Sequence, residues 1–299
     1  MAVELKSDIW ATETHKEIIG LRFRVEKTLF MGKSPYQQVD VVKTAGHGNL
    51  LLNDGVVMIS ERDEFVYHEM IAHVPLCVHP NPGRVLIVGG GDGGTAREVL
   101  KHPSVKRAVM VEIDEMVVNA CREYFPEVSC ALDDPRLELR IEDGIRFVNE
   151  TTERFDVALI DSTDPIGPAA PLFDRAFYGR VAEVLSDDGI MITQAESPFY
   201  DPDLQAPMLN NQRPFFKRLH LYLFSTLTYP GGLWSFGFAS KQHHPLADFD
   251  PDRAKKIAAI PTRYYNPGIH RAAFMLPNFV TEGLSDVLDP ISDSEGPAR

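Results

Sequence analysis

Cysteine is scarce: Cys77, Cys121 and Cys130 are the only three in 299 residues, an odd number with no C-x-x-C spacing. That excludes a disulfide scaffold or a zinc ribbon and suits structural thiols in a reducing cytoplasm. Cations are also short. The 30 Lys and Arg against 43 Asp and Glu leave a net charge of −13, the wrong sign for a general binder of nucleic acid or anionic membrane. No apolar run approaches the ~18 residues that cross a bilayer, and Glu4 and Asp8 stand where a signal peptide needs an apolar stretch. Internal repeats and low-complexity tracts are missing as well. What remains is ordinary globular material, 44% hydrophobic and 24% charged, enough for two domains or one large α/β unit with an appendage.

The first sixty residues read as β. Apolar and charged residues alternate over 21–26, residues 36–43 are a second strand candidate, and 50–52 and 56–59 flank the hairpin signal Asn53-Asp54-Gly55. Ser60 is a candidate cap for a helix running to about His73, before Pro75. From Arg84 the pattern changes. Short apolar runs at 85–88, 108–113, 137–141, 157–160 and 190–193 alternate with helical stretches near 93–101, 114–125, 144–150, 173–185 and 203–218. That alternation predicts parallel strands with crossover helices, a doubly wound α/β sheet. Residues 219–227 and 233–239 read as a closing antiparallel pair. We expect an N-terminal β domain over 1–62, an α/β domain over 63–285 and a disordered acidic tail over 286–299.

The run from Val85 to Gly94 reads as a strand entering a glycine loop and then a helix. Gly89, Gly91 and Gly94 satisfy G-x-G-x-x-G, a pattern that lets backbone approach a nucleotide. Glu112, 21 residues after Gly91, ends the next strand, where an acid can accept from both ribose hydroxyls. These features fit NAD-type and adenosyl-sulfonium cosubstrates alike. Asp92 tips the choice: a carboxylate inside the loop repels a pyrophosphate and attracts a sulfonium compound bearing an amine. Asp143 follows one later strand and is placed to accept from an adenine amino group; Asp161 and Asp164 follow another. Taken singly, each Asp suits a helix cap or a turn. Gathered at adjacent strand ends beside Glu112, they favour a polycation. His68 and His73 imitate a metalloprotease pair, but five positions put them ~140° apart on a helix, so no shared metal is expected. His243-His244 reads as a solvated turn, and Phe215, Phe216 and Trp234 as core.

Together these motifs resemble the spermidine synthase family, the aminopropyltransferases, of bacterial type. The resemblance runs from about Gly20 to Phe279. It is carried by Leu52-Asn53-Asp54-Gly55, the stretch from Glu61 to Met70, the glycine loop 89–94, Val111-Glu112-Ile113-Asp114, the stretch Asp161 to Pro165, Thr228-Tyr229-Pro230, Tyr264-Tyr265-Asn266 and the stretch His270 to Phe274. It implies a methyltransferase-like Rossmann sheet with a small N-terminal all-β domain, assembled as a homodimer or homotetramer. It implies transfer of the aminopropyl group of decarboxylated S-adenosylmethionine to putrescine, giving spermidine and 5′-methylthioadenosine, with no prosthetic group.

By the same resemblance, Gln37, Glu112, Ile113, Asp143 and Gly144 would hold the nucleoside, and Pro168 would belong to a covering loop. Asp92 would bind the aminopropyl amine. Tyr67, His68, Asp164 and Gln194 would line the amine cleft, and Asp161, helped by Tyr229, would be the base. Met58 stands where many family members carry Gln. Two alternatives stay open: the same chemistry on agmatine, cadaverine or spermidine, or a non-catalytic polyamine- or nucleoside-binding module.

Overall fold

The alternating stretch near the N-terminus builds an antiparallel meander. Strands β1 (Ile9–His15), β2 (Ile19–Lys33), β3 (Gln38–Thr44), β4 (Gly48–Asn53) and β5 (Val56–Ser60) hydrogen-bond in sequence order. The structure, a computed structural model, describes residues 8–165, 167–258 and 262–291, with Pro168 and Ala258 described by their backbone only. Asp54 and Gly55 take positive φ in the β4–β5 turn, as the Asp-Gly signal predicts. The β1 strand was not separately foreseen. Its apolar Ile9 and Trp10 are exposed, whereas its single buried residue is Glu13.

Helix α1 (Glu64–Val78) links this sheet to the second layer. It departs from expectation at both ends. Ser60 closes β5 instead of capping, and Asp63 holds the N-cap position without a side-chain cap bond. Pro75 lies inside the helix, which continues to Val78. A proline there forfeits a backbone hydrogen bond, but Val66 to Val78 are all buried, so packing on every side holds the turn.

The second sheet is mixed, with order β11-β12-β10-β9-β6-β7-β8. Its path runs β6 (Arg84–Gly89), α2 (Gly94–Leu100), β7 (Arg107–Glu112), α3 (Glu115–Tyr124), α4 (Pro126–Ser129), β8 (Leu137–Ile141), α5 (Gly144–Glu150) and β9 (Phe155–Asp161). A 3-10 helix (Gly167–Phe173) and α6 (Arg175–Val184) lead to β10 (Leu185–Gln194). Then come α7 (Pro202–Gln212), β11 (Arg218–Ser225) and β12 (Leu233–Ser240). Helix α7 stops short of the expected 218 because residues from Arg218 join the sheet edge. Strands β6 to β10 pair in parallel, and β12 pairs antiparallel with both β10 and β11. This is the methyltransferase-like α/β fold. The chain turns to opposite sides of β6, placing β7 on one flank and β9 on the other. The crevice at their carboxyl ends is where open α/β sheets bind ligands.

Helices α8 (Pro251–Ala258), α9 (Pro267–Ala273) and α10 (Asn278–Gly283) close the chain. Order continues past the expected boundary at 286: Val287 is buried, and Asp289 accepts from Arg213 and from the Leu219 amide. Residues 292–299 of the expected tail lie outside the described residues. Among those described, no helix is long and apolar enough to cross a membrane.

Candidate active site

Gly89 and Asp161 are register partners on β6 and β9. The two strand ends are locked together by close approach: the Gly90 amide donates to the Asp161 carbonyl at 2.9 Å. Gly89 and Gly90 have φ of 85° and 72°, and a Cβ on Gly90 would sit 2.8 Å from Asp161 Oδ2. A Cβ on Gly91 would meet Glu112 Oε2 at 2.9 Å. The glycines are therefore required by the carboxylates packed against them, which explains why the loop and the acids occur together.

One cleft collects Gln37, Tyr67, His68, Asp92, Glu112, Ile113, Asp143, Gly144, Asp161, Asp164, Gln194 and Tyr229. Of the expected site residues only Pro168 stays open; its backbone is in the 3-10 helix, and its side chain lies outside the described residues.

At one end, Glu112 accepts from the Gly91 amide at 3.1 Å through Oε2 and from the Asp114 amide at 2.8 Å through Oε1. Each oxygen keeps a lone pair for a further donor. Burial lifts this carboxyl to about 7, against the pull of the two amides. Gln37 donates to Asp114 at 2.9 Å, so its amide is anchored to the same corner. Asp143 caps α5, with Oδ1 accepting from the Ile145 amide at 2.8 Å. Cap and cleft wall are compatible roles for it.

At the centre, Asp161 Oδ2 accepts from the Thr95 hydroxyl at 2.6 Å, and the buried Tyr67 lines the same cleft. Burial and the charge of Asp92 push Asp161 up to about 6, opposed by His68, Thr95 and Tyr67. Tyr229 donates its hydroxyl to the Met58 carbonyl at 2.8 Å. Its hydrogen is thus committed away from Asp161, and what it can offer a ligand amine is an oxygen lone pair.

At the far end the expected Asp164 and Gln194 are backed by groups that the sequence did not single out, among them Glu196, buried behind the cleft lining. Asp164 accepts from Gln194 at 3.2 Å, and the same amide donates to Glu196 at 3.0 Å. Glu196 is buried with φ 62°, a strained conformation for a residue with a Cβ. Burial, with Asp164 next, raises it to about 9. Burial also raises Glu13, on the cleft wall, to about 7 despite its bond from the Val57 amide. Asp201 is paired by Lys16 of the β1–β2 turn at 2.6 Å and by His15 at the end of β1 at 3.2 Å. Trp234, buried as expected, also lines the cleft, edge-on to Tyr229. The signal for Glu13 was present in the sequence: an acid in the middle of an otherwise strand-forming run.

The histidines divide as their spacing implies. His68 joins Glu64 and Asp92, whereas His73 joins His102 and Glu98. His244 is buried instead of solvated, its Nδ1 accepting from the Leu246 and Ala247 amides. Among the described residues, His79, Asp188 and His243 bring ligand atoms within 4.8 Å of one another. The Asn81 amide, however, donates to His79 Nδ1. That leaves the ring hydrogen on Nε2, the atom a metal would need.

Comparisons with known proteins bear on the family and the fold. Residues 64–251 match the family model of the spermine/spermidine synthase domain, and residues 9–61 match that of the spermidine synthase tetramerisation domain. A polyamine aminopropyltransferase of Caldicellulosiruptor saccharolyticus is 47% identical over 273 residues, covering 91% of this chain and 97% of that protein. The polyamine aminopropyltransferase of Bacillus subtilis is 44% identical over 276 residues, covering 92% and 99%. A solved spermidine synthase in complex with the transition-state analogue AdoDATO superposes with a TM-score of 0.91 at 40% identity, covering 95% and 98%. Spermidine synthase from Thermotoga maritima gives 0.89 at 40%, covering 95% and 97%.

Proposed function

The chain belongs to the spermine/spermidine synthase family of transferases, and from that premise we propose that it moves the aminopropyl group of decarboxylated S-adenosylmethionine onto putrescine. The observation that carries the reading is the run of carboxylates along one cleft, Glu112, Asp92, Asp161 and Asp164 in turn. Glu112 takes the ribose hydroxyls, Asp143 the adenine amino group, and Gln37, Ile113 and Gly144 form the nucleoside wall. Pro168 belongs to the cover. Asp92 binds the aminopropyl ammonium. The acceptor lies between Asp161 and the far-end acids, beside Tyr67, His68, Gln194 and Tyr229.

An alkylammonium is mostly protonated at neutral pH and cannot attack. Asp161 takes its proton, and Tyr229 accepts from the same amine. The nitrogen bonds to the methylene beside sulfur as the carbon–sulfur pair returns to sulfur. The sulfonium becomes a neutral thioether, and the proton passes from Asp161 to solvent. The sulfonium is already a good leaving group, so alignment supplies much of the acceleration. Asp92 also rejects undecarboxylated S-adenosylmethionine, whose carboxylate would face it.

Supplying donor and a panel of amines, with product analysis, tests the reading. Methylthioadenosine release with putrescine ahead of cadaverine, agmatine and spermidine is expected. Binding without release would favour a non-catalytic module, and preference for another amine would replace the acceptor.

The far end adds a second expectation. Glu13 at about 7 and Glu196 at about 9 hold protons near neutrality. Binding a dication favours their charged forms, so diamine binding at pH 7.5 is expected to release protons. Calorimetry in buffers of different ionisation heat measures it; no proton exchange would mean these acids do not face the ammonium. The free thiols Cys77, Cys121 and Cys130 fit a cytoplasmic setting, and the N-terminal sheet fits assembly into a homodimer or homotetramer.

A further inference from the structure

His68 stands on the second turn of α1 with 1% of its surface exposed. Its Nδ1 lies 2.6 Å from Glu64 Oε2, one turn earlier, and its Nε2 lies 3.1 Å from Asp92 Oδ1 in the glycine loop. Glu64 in turn receives Arg97 from α2 at 2.8 and 3.1 Å. An ionised carboxylate only accepts hydrogen bonds, and a neutral imidazole has one N–H, whichever tautomer it adopts. Two flanking carboxylates therefore call for two ring hydrogens. Glu64 is ionised: burial opposes its charge, but the bonds and charges of His68 and Arg97 prevail and hold it at about 2.

The ring is packed directly against Gly94, where a Cβ would collide with it. The Gly94 amide donates to Asp92 Oδ1 at 2.7 Å, so the same oxygen accepts from the amide and pairs with the imidazole. Among the described residues Oδ2 has no hydrogen-bond partner.

We propose that His68 is a positioning residue that works as a standing imidazolium, fixing Asp92 through Oδ1 so that Oδ2 is free for the aminopropyl ammonium. It acts through Asp92 and, by its charge, on Asp161; this rests on the aminopropyl-transfer reading. The groups around the pair are Glu64 and Tyr67 on α1, Asp92 in the loop, Thr95 and Arg97 on α2, Glu112 at the end of β7 and Tyr229 beyond β11. His68 supplies the cation adjacent to Asp92. Burial disfavours that charge, and Asp92 and Glu64 overcome it, lifting the ring to about 10.

The first measurement needs no substrate. In selectively labelled enzyme, the ring nitrogens and Cε1 of His68 report the doubly protonated form at pH 8.5, two units above the ordinary value for histidine. A neutral tautomer at that pH overturns the proposal, whatever the enzyme transfers.

The second uses His68→Gln, which keeps volume and one donor but not the charge. KM for the donor should rise about tenfold or more, as expected for a lost charge-assisted hydrogen bond. The acid limb of kcat/KM should move upward as Asp161 loses a neighbouring cation. A merely structural role would lower thermal stability and leave the limb in place, which would refute the proposal. Glu64→Gln is the companion variant for a poorly folded His68→Gln; it should bring the His68 titration down toward neutrality, and an unmoved titration counts against the clamp.

Discussion

Asp161→Asn lowers turnover by about 10²–10⁴-fold, the range that a general base contributes, while leaving affinity for methylthioadenosine nearly unchanged. The amide is isosteric, and an amide oxygen can still accept from Thr95. The strand end is held by its own backbone, through the Gly90 amide on the Asp161 carbonyl, so the glycine loop should stay where it is. What disappears is the lone pair that receives the ammonium proton. The nucleoside wall around Glu112 and Asp143 is separate from that chemistry, hence the retained product binding. Single-turnover rates and product calorimetry, run side by side, check both halves. Near-normal turnover would remove Asp161 from the base role; lost product binding would mean that the variant had disturbed the loop. The pH dependence has a definite sign. Burial and Asp92 set the free-enzyme Asp161 at about 6, and only its ionised form accepts a proton. In the wild type kcat/KM therefore rises with pH through about 6, and the Asn variant lacks that limb.

The sequence made the α/β layer and its glycine loop legible because both rest on local pattern: apolar runs of strand length, punctuated by glycine and acids. The carboxylates at strand ends were legible for the same reason, since each directly follows an apolar run. Long-range partnerships were not. Nothing local in Glu13 says that its strand delivers it to a cleft made by β9 and β10. The bond from the Tyr229 hydroxyl to the carbonyl of Met58, 171 positions away in the chain, is another partnership that no local pattern shows. Pro75 was read as a stop because propensity is local, whereas burial along α1 is tertiary. Glu196 hid in the loop after β10 without a motif, and its raised pKa comes from burial first and then from Asp164, both of which only the fold supplies.

Asp63→Ala, the second large effect, is expected to cost about 3–5 kcal/mol, because the carboxylate serves several buried donors and each donor left unpaired costs about 1–3 kcal/mol. By composition Asp63 is a first-turn acid of α1. In the structure its Oδ1 accepts from the Ser60 hydroxyl at 2.6 Å, and its Oδ2 accepts from Thr226 at 2.6 Å and from the Leu227 and Thr228 amides at 2.7 and 3.1 Å. The Thr228 hydroxyl lies 3.0 Å from both oxygens. One residue at the junction of the two sheets thus pins the 226–228 loop, which continues into Tyr229. The other end of the same loop is held where Tyr229 meets Met58 on β5. Cutting the first anchor frees the loop to leave the second, so turnover should fall together with stability. Asp63→Asn, which keeps one acceptor oxygen, should fall between. Thermal unfolding paired with kcat at a temperature where both variants are folded separates the effects. A destabilised variant with unchanged kcat would show that the anchor serves the fold alone, and an unchanged melting temperature would refute the hydrogen-bond argument itself.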